Sequence, residues 1–271
     1  MEDSKDQYML LRKHWYNNPT ILFQIIQNLK YKETVFIRPG CCHRNIKSNA
    51  MHYLEKNFTR YHFFDEDFNL YYSLSHYPNL PMFSFSRLEK QKEMREFNKE
   101  CINYIEAYDF FIDIDNKDLT KAYKSLKKIL PHFRNTPYSV HISGQKGFHI
   151  FVSYNDFPES FKKMKIVDLI TLFKNFGRNF AMINGFDDID FSIYDPRRVM
   201  KCPYSVVFVD GIPKRVALPM SDNMIEEFKI EEYEIKYCLA NLSRWRNRGL
   251  LKRPGDPEKF GKLIKKYGEL E

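Results

Sequence analysis

The chain has 271 residues, 43% of them hydrophobic and 16% aromatic, with 24 Phe and 18 Tyr against 10 Gly and 13 Pro. That is enough apolar material for one large domain with a sizeable core, and it excludes a collagen-like or broadly disordered chain. Forty-three Lys and Arg against 35 Asp and Glu leave a formal charge of +8, a bias toward polyanionic partners through phosphate neutralisation.

The first fifteen residues, MEDSKDQYMLLRKHW, carry acids where a signal peptide has its basic region. No apolar run reaches the roughly 18 residues of a membrane helix. A cytoplasmic protein with no membrane partner is expected. Residues 8 to 30 have helical periodicity interrupted at Pro19. The five cysteines form no CxxC pair, so neither a disulfide scaffold nor a CxxC zinc finger is expected, and Cys41-Cys42-His43 reads as a reduced structural group. Residues 34 to 87 are aromatic-rich and mixed, suited to short strands and helices. EAYDFFIDIDNKD reads as a buried strand entering a turn. Leu119, Tyr123, Leu126 and Leu130 recur at helical spacing. YSVHI and FHIFV, separated by SGQKG, predict a hairpin. Ile166 to Ile183 predicts an amphipathic helix, IDFSIYD a short alternating strand, and SVVFV with RVALPM a hairpin around Asp210-Gly211. From Ile230 the chain predicts helix, a break at Pro254 to Pro257, and a last basic helix. Strands and helices interleave, so the fold class is α/β (α+β). The expected organisation is a catalytic domain over residues 1–230 and a basic helical tail over 231–271.

Three stretches carry chemistry. In Phe110-Phe111-Ile112-Asp113-Ile114-Asp115, side chains two apart on a strand share a face, so Asp113 and Asp115 point the same way. Two carboxylates held close repel unless a cation lies between them, and Mg²⁺ or Mn²⁺ suits all-oxygen ligands. Read alone, the same residues also suit a strand end opening a turn. In Ser143-Gly144-Gln145-Lys146-Gly147-Phe148-His149, two glycines permit a tight turn whose amides face an anion. Ser143 adds a hydroxyl, Lys146 a charge and His149 an imidazole. An ordinary hairpin is the plainer reading. In the third stretch Asp190 is flanked by apolar strand residues, and Lys201 precedes a Pro-Tyr turn from which it reaches phosphate. Arg197 and Arg198 read as a solvated loop, and Asp187, Asp188 and Asp195 as caps and surface charges. Three carboxylates with a basic, serine-bearing glycine loop between them describe two-metal nucleotidyl transfer, in which positioning and charge neutralisation dominate.

FIDID, SGQKGFH and IDFSIYDPRRVMKCPYSV, in this order, resemble the three motifs of the archaeo-eukaryotic primase superfamily, most closely the catalytic small subunit of archaeal and eukaryotic DNA primase. The likeness extends from about residue 58 to 220, with TRYHFF and MFSFSR upstream. It implies a core of mixed and antiparallel sheets with helices outside and an RRM-like half that carries the carboxylates. It implies that Asp113, Asp115 and Asp190 bind two Mg²⁺ or Mn²⁺ ions. Ser143, Lys146, His149 and Lys201 then hold the incoming nucleotide's phosphates, and Arg60, from the TRY stretch, contacts the nucleotide. Single-stranded DNA template and NTPs or dNTPs are the implied partners, and a primase large subunit is a candidate one. Two features depart from the family pattern. Asn116 to Tyr138 holds no cysteine, so no zinc is expected, and Val206 and Val207 stand where a histidine commonly follows the Pro-aromatic-Ser segment.

The function implied is a DNA primase subunit that makes short RNA or DNA primers on single-stranded DNA. A primase-polymerase or gap-filling repair polymerase with the same core is the alternative. A third reading is a catalytically inactive nucleic-acid-binding module. It rests on the basic tail from Arg244 to Lys266, with Trp245 offered for stacking on a base.

Overall fold

The computed structural model describes residues 4–38, 41–45, 67–79, 100–245 and 249–270. Pro19 divides the first helical stretch into α1 (Lys5–Tyr16) and α2 (Pro19–Leu29). The break falls there because proline has no N–H to continue a helix yet suits the first turn of a new one. Asn18 caps that turn by accepting from the N–H groups of Thr20 and Ile21. The chain then forms β1 (Lys32–Arg38), β2 (Cys41–Asn45), β3 (Asn69–His76), β4 (Ala107–Tyr108), β5 (Phe110–Asp115) and α3 (Leu119–Ile129). It continues through β6 (Ser139–Ile142), β7 (Gly147–Val152), α4 (Ile166–Asn184), β8 (Val199–Lys201), β9 (Val206–Val209), β10 (Ile212–Val216), β11 (Pro219–Met220) and α5 (Pro257–Gly268), with short helical turns between. The mixed α+β class is borne out: among the described residues every strand pairing is antiparallel, and helices pack on the sheets.

Two sheets frame the site. One has the order β2-β1-β3-β4, with β8 pairing β3 beside β4. The other has the order β11-β6-β7-β5. Beyond β5, Ile189 makes an isolated antiparallel bridge to Ile114. The Asp115 N–H donates to Asp188 O at 2.8 Å, and the Asp190 N–H to Asp113 O at 3.0 Å. The chain order β5-α3-β6-β7-α4-Ile189 is thus a β-α-β-β-α-β unit, the split arrangement of RRM-like folds. Its last strand is reduced to a single bridge.

Alternation along these strands separates chemistry from core. Phe110, Ile112 and Ile114 of β5, and Phe148, Ile150 and Val152 of β7, are buried on the helix side. Phe110 meets Phe173 and Phe176 of α4 edge-on at ring distances of 5.0 and 5.4 Å. Full burial of each such ring contributes about 1.5–3 kcal/mol. Helix α5 closes the outside, with Tyr267 against Phe176 and Phe180.

The chain crosses from one sheet to the other at Asp109, between β4 and β5. Asp109 is 1% exposed and binds Lys32 of β1, His76 Nε2 at 2.8 Å and the N–H of Tyr154 at 2.8 Å. Burial alone would raise its carboxyl, but His76 and Lys32 prevail and hold it well below the ordinary carboxylate value. At the far side, α1 secures the turn after β8. Trp15 Nε1 donates to Tyr204 O at 2.8 Å, and Tyr16 OH accepts from the Val206 N–H at 2.8 Å. Tyr204 sits there at φ +67°, a costly backbone for a bulky residue, so the anchoring is needed.

Two expected strands are shorter than the sequence pattern suggests. In IDFSIYD only Ile189 bridges, and Phe191–Ile193 is a 3₁₀ turn. The turn brings Tyr194 under the sheet, where its hydroxyl donates to Phe111 O at 2.9 Å and its ring occupies the space left by Gly177. RVALPM is divided likewise. β10 ends at Val216, and Pro219–Met220 joins β6 in the carboxylate sheet.

Candidate active site

The polar face of the carboxylate sheet presents one row of directly opposed residues. His141 of β6 faces His149 of β7, and His149 faces Asp113 of β5. Asp190 continues the row beside Asp113, across the Ile114–Ile189 bridge. His149 Nε2 stands 3.5 Å from Asp113 Oδ1. Asp115, two residues along β5, shares the face. Its carboxyl is raised above the ordinary value, first by partial desolvation and then by Asp113. Lys146 and His149 partly offset the rise, and Asp190 adds to it. His141 is buried, and burial followed by the charge of His149 pushes its imidazole down to about 3, so it stays neutral.

The glycine loop borders this row. The Ser143 N–H donates to Gly147 O at 2.9 Å, and Ser143 Oγ accepts from the Gly147 N–H at 3.1 Å. A hydroxyl has a further hydrogen to donate outward. Gly144 holds φ +82°, and a side chain there would meet Val207. At Gly147 an added Cβ would lie 1.7 Å from Ile114 O. Gly147→Ala therefore forces β7 away from β5 and is expected to cost more than about 1 kcal/mol. In urea titration that appears as a lower midpoint at an unchanged slope.

The facing wall comes from β3 and β8, where Tyr71 pairs with Lys201. Lys201 Nζ donates to Tyr71 OH at 2.9 Å and lies 4.0 Å from the ring centroid. Together the two walls enclose a cleft of about 240 Å³ lined by Asp113, Asp115, Ser143, Lys146, His149 and Lys201, with Tyr71, Gln145 and the 198–200 segment. Burial lowers Lys201 to about 7. Between that value and the ordinary 10.5 the unfolded chain holds the extra proton, so this residue makes stability rise with pH across the window. Below it the full burial cost is present. Lys201→Met is therefore expected to stabilise the protein at pH 7 and below by a few kcal/mol. It also removes the rise between pH 7 and 10, as thermal melts in a pH series would show.

Five of the residues expected from the glycine-loop, β5 and β8 motifs thus share one cleft with Asp115, and Asp190 adjoins it through Asp113. Arg60 lies outside the described residues, as do TRYHFF and MFSFSR. Two cleft residues escaped the sequence reading, Tyr71 and Arg198. The Arg197-Arg198 pair is not a solvated loop. Arg197 Nη2 meets the fully buried Glu33 at 3.2 Å. Arg198 Nη2 stands 3.5 Å from Asp190 and 3.9 Å from Asp113. The tail also departs from expectation. Trp245 is 1% exposed, tilted against Tyr233, and offers no face to a base. Arg244, Lys252 and Arg253 are committed to Glu232, Asp156 and Asp222. Asp188 is a brace, accepting from Asn116 Nδ2 at 2.6 Å and from Ser125 Oγ.

The donor set is oxygen-rich and like-charged, as the raised Asp115 records, which fits a hard divalent cation. Among the described residues, no three His, Cys, Asp or Glu side chains yet converge on one point that could hold an ion. Arg198 provides the positive charge against Asp113 and Asp190. Among the described residues, no helix is long and apolar enough to cross a membrane.

No family model matches the chain. It is 28% identical over 146 residues to an uncharacterized protein of Methanocaldococcus jannaschii, a match covering 49% of this chain and 33% of that protein. The chain thus spans about a third of the length of that relative. Among solved structures, the primase-polymerase AEP domain of cyanophage S-2L aligns with a TM-score of 0.42 at 13% identity, over 83% of this chain and 97% of that one. The polymerase domain of Mycobacterium tuberculosis ligase D, solved in complex with DNA, aligns with a TM-score of 0.47 at 10% identity, over 98% and 92%.

Proposed function

We propose that this chain is a template-dependent nucleotidyl transferase, acting as a DNA primase catalytic subunit that makes short RNA or DNA primers on single-stranded DNA. The observation that carries this reading is the row His149–Asp113–Asp190 with Asp115 beside it, facing Lys201 across a cleft bordered by a basic glycine loop. In the reaction, a 3′-hydroxyl oxygen attacks the α-phosphorus of a nucleoside triphosphate. One P–O bond forms, the bond to the β-phosphate oxygen breaks, the hydroxyl proton departs and pyrophosphate leaves. Asp113, Asp115 and Asp190 would hold two Mg²⁺ or Mn²⁺ ions, whose chemistry would be activation of the hydroxyl and neutralisation of the phosphate charge.

The protein's own groups do the placing. Lys146 and Lys201 approach the triphosphate from opposite walls, and His149 and the Ser143 hydroxyl donate to its oxygens. Lys201 enters this role near its neutral point, so the arrival of a phosphate restores the proton that burial disfavours. Arg198 lies within reach of Asp113 and Asp190 and balances part of their charge, a role that bound cations would share. Template is held at its phosphates, so sequence preference is weak and binding falls with salt.

The deciding experiment is strand synthesis on unprimed single-stranded DNA with labelled NTPs or dNTPs, in Mg²⁺ or Mn²⁺. Short products absent from the Asp113→Asn variant establish de novo priming, and the favoured nucleotide separates RNA priming from primase-polymerase behaviour. Extension of an annealed primer without any product on unprimed template selects the repair-polymerase reading, or a subunit that needs its large partner to initiate. Template binding with neither incorporation nor Mn²⁺ binding selects the inactive module.

A further inference from the structure

Between Leu119 and Arg134 the sequence holds Lys121, Lys124, Lys127, Lys128 and Arg134 and no acid. Helix α3 buries Ala122, Leu126 and Ile129 against the sheet, which leaves Lys121, Lys124 and Lys128 exposed. Spaced by three and then four residues, these three lie on one stripe with neighbouring positions about 5–6 Å apart. Lys117, also exposed, precedes the helix two residues after Asp115. The stripe therefore begins at the edge of the carboxylate site. There the Asn116 N–H is tied to Lys146 O of the glycine loop at 3.2 Å, and from there the stripe runs outward along the helix.

Several basic residues elsewhere are neutralised within the chain. Arg244, Lys252, Arg253 and Lys214 each meet a carboxylate. Among the described residues, Lys117, Lys121, Lys124 and Lys128 meet none. Like charges three and four apart destabilise a helix, and beyond the N-cap Asp118 α3 carries them without a compensating acid. A polyanion laid along the stripe relieves that repulsion.

We infer that the lysine stripe of α3 is a track for the phosphate backbone of a single nucleic-acid strand where that strand meets the carboxylate end of the cleft. This deepens the polymerase reading and rests on it for the identity of the strand as template. The track extends the contact surface beyond the three motifs and assigns it to a helix rather than to the basic tail. The tail's last helix, α5, exposes Lys259, Lys262 and Lys265 at similar spacing, but it packs through Phe260 on Phe110, at the other end of β5 from the carboxylates.

The test compares two full-length variants that lose the same charge, Lys121→Gln/Lys124→Gln/Lys128→Gln and Lys259→Gln/Lys262→Gln/Lys265→Gln. Binding of a labelled mixed-sequence single-stranded oligonucleotide is measured by fluorescence anisotropy across a salt series, with circular dichroism to verify folding. At about 0.7 counterions released per phosphate contact, the α3 variant should lose about 2 from the slope of log K against log salt. The α5 variant should keep the wild-type slope. Equal loss in both variants, loss in the α5 variant alone, an unchanged slope in the α3 variant or no salt-dependent binding by the wild type each overturns the track. If the slopes divide as expected but the wild type incorporates no nucleotide, the track stands as a strand-binding surface and the polymerase reading falls.

Discussion

Asp113→Asn is expected to lower nucleotide incorporation on the order of 10³-fold while leaving the fold intact. Asp113 is the centre of the site: His149 lies on one side at 3.5 Å, Asp190 directly opposite on the other, and Arg198 above at 3.9 Å. Removing one unit of negative charge there weakens cation binding by several kcal/mol of transition-state stabilisation, and each 1.36 kcal/mol is a factor of ten in rate. The fold survives because Asp113 is a half-buried polar residue on the open face of β5, and its backbone pairings need no carboxylate. A second readout follows from the same charge. Asp115 is raised in part by Asp113, so in the variant its carboxyl moves back toward the ordinary value, as NMR titration can follow. Undiminished incorporation would remove the carboxylates from the mechanism.

The second large effect is on stability. Asp109→Ala is expected to cost about 3–5 kcal/mol, the penalty for leaving buried charge without its partner. Lys32 is 6% exposed and loses its carboxylate, and the Tyr154 N–H loses its acceptor. Asp109 is held below its ordinary value in the folded state, so its contribution is present above about pH 4 and is lost on acidification. Urea unfolding at pH 7 and at pH 3 checks both points. The gap between wild type and variant should narrow in acid. A gap that is small at pH 7, or that widens in acid, contradicts the assignment.

Much of the framework was legible along the chain because local chemistry and tertiary need agree there. Alternation in FFIDID and GFHIFV requires one apolar and one polar face whatever surrounds them, and the sheet uses them that way. Pro19 and the glycines of SGQKG mark their turns by backbone limits alone. What was not legible depends on partners distant in sequence. Arg198 reads as a loop charge until β8 carries it against Asp190 and Asp113. Arg197 reads the same way until Glu33, 164 residues away, is found buried beneath it. Tyr71 is one aromatic among many, and its pairing opposite Lys201 is set by the register of two strands 130 residues apart. Trp245 reads as a stacking surface because aromatic residues amid basic ones suit that role. Its burial against Tyr233 is a packing outcome that composition does not disclose.

The crossing at Asp109 also determines how the cleft can deform. The chain passes between the two walls there and again between Asp190 and β8, so the buried ion cluster clamps one apex of the cleft and the 190–199 segment forms a second joint. Asp113 lies four residues from the apex and Asp115 six, roughly 13 and 20 Å along the strand. The carboxylates therefore stand on a strand held at both ends, by Asp109 behind and by the backbone pairing of Asp113 and Asp115 with the 188–190 segment in front. The Ser75 hydroxyl on Pro196 O and the Leu74 N–H on Arg198 O fasten the second joint to β3 as well. Within this architecture, the gap between Lys201 and the carboxylates is set by two joints, the buried ion cluster at one and the segment from Asp190 to Arg198 at the other.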